Sequence, residues 1–279
     1  MCQGLEQDDY VCSVSWAREG KFLAVGTFKG DVLLFDGHRN KLVRTLKGHT
    51  GRVTSLAWNG SILSAGSRDS SIINYDVESS SPIVSTFAAH TQEVCGLKWN
   101  PEGTQLASGG NDNLLLVWDS NNTDRPRFTL NAHQAAVKAI EWCPHQPNLL
   151  VSGGGTADRH IRFWNSSTGA QLGATDTKSQ VCSILWSKTH KKELISSHGF
   201  SQNQLTVWDY PTMTKVTELN GHTQRVLQMA MSPDGETVVS VAGDETLRFW
   251  KVFEKQSSAR PLALVNKPKN TVGRHCLIR

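Results

Sequence analysis

Tryptophan recurs along this chain at a nearly constant interval, and that interval constrains the fold more than any other feature. One series is spaced by about 41–45 residues and ends in a methionine: Trp16, Trp58, Trp99, Trp142, Trp186 and Met231. A second aromatic series has a closely similar period: Phe35, Tyr75, Trp118, Trp164, Trp208 and Trp250. Two interleaved series with one period indicate a single structural unit used six times.

The ends of the units identify the kind of repeat. An aromatic residue followed by Asp, or once by Asn, closes five of them: Phe35-Asp36, Tyr75-Asp76, Trp118-Asp119, Trp164-Asn165 and Trp208-Asp209. A Gly-His or Ala-His pair precedes four of them: Gly48-His49, Ala89-His90, Ala132-His133 and Gly221-His222. This is the signature of WD repeats, each of which forms a four-stranded propeller blade. The sequence therefore predicts an all-β WD40 β-propeller with six visible repeats.

Local patterns agree with a chain of short strands and tight turns. Four aspartates follow strands that end on small residues and should position the chain reversal by bonding nearby backbone N–H groups: Asp69, Asp112, Asp158 and Asp244. Pro101-Glu102-Gly103 and Pro233-Asp234-Gly235 are predicted hairpin turns. We assign residues 10–253 to the propeller, 1–9 to an N-terminal stub and 254–279 to a flexible polar tail that ends in Ile278-Arg279.

The composition argues against several classes of protein. The chain has 279 residues, is 38% hydrophobic and carries a net charge of +4, which does not fit a disordered chain. No apolar run reaches the roughly 20 residues of a membrane helix, and the N-terminus has no apolar signal core. The basic residues are scattered, so a solvated surface is a better interpretation than nucleic-acid binding. We expect a soluble intracellular protein with neither membrane nor nucleic-acid partners.

The cysteines favour packing over chemistry. Cys12, Cys95 and Cys182 each lie four residues before a tryptophan of the first series. Recurrence at one place of a repeat is typical of a small buried hydrophobe. No Cys-x-x-Cys pair is present, and the histidines follow the repeat without a ligand spacing. We expect neither a metal site nor a cofactor.

Two motifs look catalytic and are better explained by the fold. His49, Ser55 and Asp69 are the residue types of a nucleophile triad, but in a WD blade such residues form a buried hydrogen-bond chain to the strand aromatic, here Tyr75. Residues 153–156 (GGGT) lack the Gly-Lys-Ser/Thr of a phosphate-binding loop and precede a strand rather than a helix. We predict that the chain is not an enzyme.

Several strings are more specific than a general WD repeat. They are residues 92–99 (QEVCGLKW), 106–113 (LASGGNDN), 153–162 (GGGTADRHIR), 179–186 (SQVCSILW), 193–200 (ELISSHGF), 202–205 (QNQL) and 210–213 (YPTM). These strings closely resemble the Fizzy/Fizzy-related family (cell-division-cycle 20/Cdh), and the resemblance runs from about residue 6 to 253. The terminal Ile278-Arg279 also resembles the Ile-Arg tail at the C-terminus of that family's members.

The resemblance implies a function without catalysis. Members of the family are coactivators of the anaphase-promoting complex, a ubiquitin ligase, and they capture degrons on cell-cycle proteins. The implied partners are subunits of that complex, degron-bearing substrates and spindle-checkpoint proteins, and the implied location is the nucleus and cytoplasm. Holding a substrate beside a catalytic module raises its effective concentration. The alternative that the residues leave open is a WD-repeat scaffold, or a truncated regulatory relative, without degron binding.

The resemblance also assigns candidate binding residues. Those that match the family's Lys-Glu-Asn (KEN) degron site are Asn111, Asn113, Thr156, Gln180 and Arg225. Amides and a hydroxyl suit an extended peptide, and Arg225 is expected to pair with the degron glutamate. Glu245 matches the acidic residue of the destruction-box groove, between the family's first and last blades. Ile278 and Arg279 match the tail that docks on the ligase, where a helical-repeat groove receives it.

The chain departs from the family in its number of repeats. Six are visible where the family has seven, and the repeat at Tyr10–Trp16 matches the family's second. The family's N-terminal C-box, which contacts and stimulates the ligase, is also not seen. Three explanations stay open: a truncated isoform or gene model, which we favour, a ring closed on six blades, or partial closure by residues 254–272. If the ring is not closed, the apolar sheet faces on either side of the gap are expected to be exposed to solvent.

Overall fold

The computed structural model describes residues 8–253, which form 23 β-strands in six antiparallel sheets. We call the sheets blades 1 to 6 in chain order. Blade 1 contains β1 (Val11–Trp16), β2 (Phe22–Thr27), β3 (Val32–Asp36) and β4 (Lys41–Leu46). Blade 2 contains β5 (Val53–Asn59), β6 (Ile62–Ser67), β7 (Ile72–Asp76) and β8 (Ile83–Phe87). Blade 3 contains β9 (Val94–Trp99), β10 (Gln105–Gly110), β11 (Leu115–Asp119) and β12 (Phe128–Leu130).

The second half of the chain repeats this plan. Blade 4 contains β13 (Val137–Trp142), β14 (Leu149–Gly154), β15 (His160–Asn165) and β16 (Gln171–Asp176). Blade 5 contains β17 (Val181–Trp186), β18 (Glu193–His198), β19 (Leu205–Asp209) and β20 (Thr214–Leu219). Blade 6 contains β21 (Val226–Met231), β22 (Thr237–Ala242) and β23 (Leu247–Lys251). In each blade consecutive strands pair as hairpins, so the predicted WD40 β-propeller is confirmed.

The blades stand around a central channel. Each first strand contacts the first strand of the next blade, from β1 and β5 through to β17 and β21. All six first strands line one cavity of about 800 Å³. The second strands lie deep between neighbouring blades, and β10 and β14 are buried at every residue. An added Cβ on Gly109 would lie 2.1 Å from the Val137 carbonyl oxygen of the next blade, so glycine permits this close approach.

The first tryptophan series packs each blade against the one before it. Trp142 donates its indole N–H to the Lys98 carbonyl at 2.9 Å, and Trp58 donates to the Ser15 carbonyl at 3.1 Å. Trp142 is only 4% exposed, whereas Trp16, at the same place in blade 1, is 55% exposed. β21 and β1 also lack the extensive contact that joins the other first strands of the described chain. The propeller is therefore open between blades 6 and 1 over residues 8–253.

The open side confirms the expectation of exposed sheet faces. Val14 and Trp16 of β1 face solvent, and so does Phe249 on β23 of blade 6. These side chains occupy places that a neighbouring blade covers elsewhere in the propeller. A ring closed on six blades is accordingly not what the described residues form. The stub (residues 1–9) is described only from residue 8, and the tail (residues 254–279) lies outside the described residues.

The predicted aspartate turns connect to a buried network in three blades. In blade 3, His90 contacts Asp112 at 3.0 Å through Nδ1 and Ser108 Oγ at 2.8 Å through Nε2, and Trp118 Nε1–H donates to the same Ser108 Oγ at 2.8 Å. Blades 4 and 6 repeat the arrangement with two further quartets: His133, Asp158, Ser152 and Trp164, and His222, Asp244, Ser240 and Trp250. This network satisfies the buried polar groups and fixes the turn above the sheet.

The hydrogen-bond chain predicted for blade 2 is wrong for two of its residues, Ser55 and Tyr75. His49 does contact Asp69, at 3.0 Å, but its Nε2 faces the Ala65 carbonyl oxygen at 3.1 Å. Ser55 lies on β5 and donates to the Val94 carbonyl oxygen of blade 3. The Tyr75 hydroxyl is directed to the Lys47 carbonyl oxygen at 3.5 Å. The serine that bonds histidine comes from the second strand in other blades, and Ala65 occupies that place here.

Blade 5 builds its network differently again. His198 is on β18 itself rather than before the blade, and its Nε2 contacts Ser196 Oγ at 2.7 Å. Trp208 Nε1–H donates to the same Ser196 Oγ at 2.7 Å. Burial lowers the pKa of His198 to about 4, so the imidazole is neutral at physiological pH. The polar atoms His198 Nδ1, Gln204 Oε1 and Thr206 Oγ1 are buried without a partner among the described residues.

Candidate functional site

One end of the propeller carries the candidate residues, and we call it the top face. It consists of the turns between second and third strands together with the connections between blades. The histidine–aspartate contacts join these two kinds of segment, as between His90 and Asp112. Asn111 and Asn113 lie on the turn of blade 3, and Thr156 lies on that of blade 4. All of the described candidate residues lie on this face.

Six equivalent residues surround the mouth of the channel on this face. Each immediately precedes a first strand, and its carbonyl accepts a hydrogen bond from the turn of the same blade. These mouth residues are Tyr10, Arg52, Glu93, Ala136, Gln180 and Arg225. Their donors are the backbone N–H groups of Phe28, Arg68, Asn111, Gly155, Gly199 and Gly243. The repeat therefore places Gln180 and Arg225 in the mouth and Asn111 directly beside it.

Thr156, Gln180 and Arg225 form one contiguous part of the site. Thr156 Oγ1 donates to Gln180 Oε1 at 3.3 Å across blades 4 and 5. Gly199 lies between Gln180 and Arg225. An added Cβ on Gly199 would be 3.5 Å from Gln180 Cβ and 3.6 Å from Arg225 Cβ. The exposed Arg225 side chain makes no ion pair within residues 8–253. An exposed arginine without an ion pair in residues 8–253 thus lies on the turn-and-connection surface that also carries an amide and a hydroxyl.

Asn111 is held by an ion pair on the other side of the mouth. Arg52 donates from Nε and Nη2 to the two carboxylate oxygens of Glu93, both at 2.7 Å, and this pair joins blades 2 and 3. Asn111 Nδ2 reaches Glu93 Oε2 at 3.4 Å. The Glu93 charge is neutralised by Arg52, so among the six mouth residues Arg225 carries the charge that has no ion pair within residues 8–253. The sequence analysis missed Arg52 and Glu93, since their shared place before a first strand was the only signal.

Asn113 and Glu245 occupy the same place in blades 3 and 6. Each directly follows the turn aspartate, with φ of 67° for Asn113 and 60° for Glu245. Asparagine tolerates this left-handed region better than most residues, whereas glutamate is uncommon there. Glu245 is exposed on the turn between β22 and β23 of blade 6, the blade that borders the open side of the propeller. Ile278 and Arg279 lie outside the described residues.

The buried histidines beneath the top face belong to the hydrogen-bond networks of the blades. Burial lowers the pKa values of His90, His133 and His222 against the opposing effect of their aspartates. Burial also raises the pKa of the Cys95 thiol to about 12, so it stays protonated.

Within residues 8–253 no group of three or more His, Cys, Asp or Glu is placed to hold a metal ion. In that part of the chain no helix has the length and apolarity to cross a membrane.

Comparison with known proteins now decides the family. Residues 1–250 match the sequence model described as the CDC20/Fizzy WD40 domain. The chain belongs to the CDC20/Fizzy family. Its Fizzy-type strings therefore lie in a domain of that family, and the resemblance found in the sequence is confirmed.

Individual relatives give the extent of this CDC20/Fizzy similarity. The chain is 55% identical over 254 residues to "Anaphase-promoting complex subunit cdc20" of Dictyostelium discoideum, covering 90% of this chain and 51% of the relative. It is 55% identical over 277 residues to "Cell division cycle 20.1, cofactor of APC complex" of Arabidopsis thaliana, covering 96% and 60%. It is 54% identical over 258 residues to "Protein FIZZY-RELATED 3" of Arabidopsis thaliana, covering 92% and 53%. The chain thus spans about half the length of these curated relatives.

A solved structure has the same fold. A chain in "Crystal Structure of Mitotic Checkpoint Complex" superposes with a TM-score of 0.87 at 45% sequence identity, covering 90% of this chain and 79% of that one. The agreement extends over most of the propeller.

Proposed function

We propose that this protein is a non-catalytic substrate-recognition coactivator of the anaphase-promoting complex. The names of its relatives, a complex subunit and a cofactor, support this role. In the proposal the top face binds KEN degrons of cell-cycle proteins, and the chain acts by holding them near the ligase. The observation that carries the proposal is the mouth of the channel, where Thr156, Gln180 and Arg225 adjoin on neighbouring blades.

The chemistry of the mouth matches a short acidic peptide motif. The Arg225 guanidinium offers a charge-assisted, fork-shaped pair of donors to the degron glutamate. Asn111, Asn113 and Gln180 carry amides that both donate and accept, which suits the asparagine and the backbone of an extended peptide. Rigid strands hold these loops, so little conformational entropy is lost on binding.

Other parts of the proposal concern further contacts and location. Glu245 receives the arginine of a destruction box at the open side of the propeller, and Ile278 and Arg279 dock the chain on the ligase. The partners are subunits of the complex, degron-bearing substrates and spindle-checkpoint proteins, in the nucleus and cytoplasm. The structural relative comes from a mitotic checkpoint complex, which is consistent with the last class of partner.

The test is fluorescence anisotropy of a labelled KEN peptide titrated with the full chain, beside a scrambled peptide. We expect selective binding that Arg225→Ala weakens by about tenfold or more, since a hydrogen bond to a charged group contributes roughly 1.5–3 kcal/mol. The matched control is Arg39→Ala, which removes the same charge from an exposed turn between β3 and β4, at the opposite end of the blade. Equal binding of both peptides by folded protein would contradict the proposal and favour the scaffold alternative.

A further inference from the structure

Phe200 is the most exposed large hydrophobic residue of the described chain, at 87%. The position of each other exposed large hydrophobic residue explains why its side chain is exposed. The exposed residues of the open side are Val11, Val14, Trp16 and Phe249, and those of the outer strands are Val43, Ile83, Val84, Leu172 and Val216. Tyr10 and Phe28 stack on each other at 4.5 Å on blade 1. Phe200 alone presents an exposed apolar ring on the top face of blades 2 to 6 within residues 8–253.

The turn that carries Phe200 is braced from two sides. Ser179 Oγ is within 3.1 Å of the carbonyl oxygens of both Gly199 and Phe200. Asn203 donates its backbone N–H to the Gly199 carbonyl at 3.0 Å, and its Nδ2 donates to the Thr223 carbonyl of the next connection at 3.2 Å. Ser179 and Asn203 are both buried. The ring is therefore presented to solvent by a supported turn.

This turn adjoins the proposed degron site. Gly199, the residue before Phe200, donates to the Gln180 carbonyl at 3.2 Å. An added Cβ on Gly199 would lie 3.6 Å from Arg225 Cβ, which places Gly199 between the two mouth residues. The Cα atom of Phe200 is then at most roughly 9 Å from Arg225 Cβ, a span that an extended peptide covers in about three residues. A peptide held by Arg225 comes within reach of the ring.

We propose that Phe200 forms an apolar subsite of the degron face, which contacts a hydrophobic side chain of the substrate within about three residues of its Lys-Glu-Asn motif. The inference rests on the proposed function and adds a specificity element to it. The polar mouth selects the motif, while the Phe200 ring favours degrons with a Leu, Ile, Met or aromatic neighbour. Burial of apolar area between ring and side chain supplies the preference.

The test is an anisotropy series with two kinds of peptide and three forms of the full chain. One peptide set carries leucine at one of the three positions on either side of the Lys-Glu-Asn motif, and the matched set carries serine there. The proteins are the natural chain, Phe200→Ala and Leu172→Ala, the last removing an exposed apolar side chain on outer strand β16. Phe200 is so exposed that its removal leaves the fold intact, which thermal unfolding verifies.

We expect leucine at one flanking position to tighten binding by about five- to tenfold over serine in the natural chain and in Leu172→Ala. In Phe200→Ala this preference is expected to vanish, while binding of the serine peptides is unchanged. A uniform loss for all peptides would overturn the subsite and make Phe200 a support for Gln180. No preference at any position in a chain that binds KEN selectively would overturn the subsite alone. Absence of selective KEN binding would overturn the proposed function as well.

Discussion

Blades 4 and 2 contain the same histidine–aspartate pair in different surroundings. In blade 4, His133 contacts Asp158 at 2.6 Å and Ser152 at 2.7 Å, and the Asp158 side chain is fully buried. In blade 2, His49 contacts Asp69 at 3.0 Å, its other nitrogen faces the carbonyl oxygen of Ala65, and the Asp69 side chain is 16% exposed. The network thus has two separable halves.

The half that both blades share positions the top face. In each blade the aspartate also accepts a backbone N–H from the residue after the histidine, Gln134 at 3.2 Å in blade 4 and Thr50 at 2.9 Å in blade 2. The serine and indole, which blade 4 has and blade 2 lacks, tie the second and third strands together. The difference teaches that turn geometry depends on the aspartate, while the hydroxyl–indole half contributes strand stability.

The largest difference between the two blades is expected from removing the aspartate charge. Asp158→Asn should cost about 3–5 kcal/mol, because Arg162, which donates to Asp158 at 3.0 Å, is left as a largely buried unpaired cation. Asp69→Asn should cost about 1–2 kcal/mol, since its hydrogen-bond partners stay partly solvated. Thermal unfolding measures the effects, together with hydrogen exchange of β13–β15 for blade 4 and of β5–β7 for blade 2. Equal losses in the two blades would contradict the role of burial.

The next effect concerns the serine and indole half of the network, which blade 4 has and blade 2 lacks. Ser152→Ala leaves the Trp164 indole N–H and the His133 ring nitrogen without a buried partner, which should cost about 2–4 kcal/mol. The matched control is Ser120→Ala, an exposed serine after β11, with an expected change below roughly 0.5 kcal/mol. Urea unfolding of both variants gives the measurement. A loss as small as the control's would show that the hydroxyl contributes nothing to strand stability.

Blade 5 extends the comparison to pH. Burial lowers the pKa of His198 to about 4, so on acidification the unfolded chain takes up a proton near pH 6.5 before the folded chain does. This contribution is constant above pH 7 and is lost as pH falls, by about 2 kcal/mol at pH 5. His198→Gln should flatten the pH dependence of the unfolding free energy by that amount between pH 7 and 5. If the natural chain and His198→Gln showed the same pH dependence of the unfolding free energy, the lowered pKa of His198 would be refuted.

The smallest effect is a gain in blade 2. Both ring nitrogens of His49 face oxygens, Asp69 Oδ2 at 3.0 Å and the Ala65 carbonyl oxygen at 3.1 Å, whereas in blade 3 one ring nitrogen meets a serine hydroxyl that can donate or accept. Ala65→Ser adds a hydroxyl that can donate to Nε2, with an expected gain of about 1 kcal/mol. Ala107→Ser in blade 3, on the sheet side away from His90, is the matched control and should be destabilising. Urea midpoints compare the two. A loss at Ala65 equal to that at Ala107 would mean that blade 2 has no room for the complete network.

Much of the architecture was predictable because the repeat records local packing. The tryptophan series, the aspartate turns and the turn glycines Gly103 and Gly235, with φ of 70° and 78°, are all where the sequence places them. The Ser55 assignment failed because its type matched the network while its strand did not. Only the pairing of Leu63 with both Trp58 and Tyr75 shows that Ala65 takes the serine's place. The KEN assignments of Asn111, Asn113, Thr156, Gln180 and Arg225, and the destruction-box assignment of Glu245, stay predictions.

The sequence by itself determined the all-β propeller, its six repeats and the family, since aromatic, glycine and aspartate positions recur with the period of one blade. The tertiary structure decided what meets across blades. Arg52 joins Glu93, Thr156 joins Gln180, and Trp16 is exposed while Trp142 is buried. These contacts join residues about 24–41 positions apart, on segments whose relative placement depends on how whole sheets pack around the channel. A local pattern encodes each blade, but the packing angle between blades is a property of the assembled core.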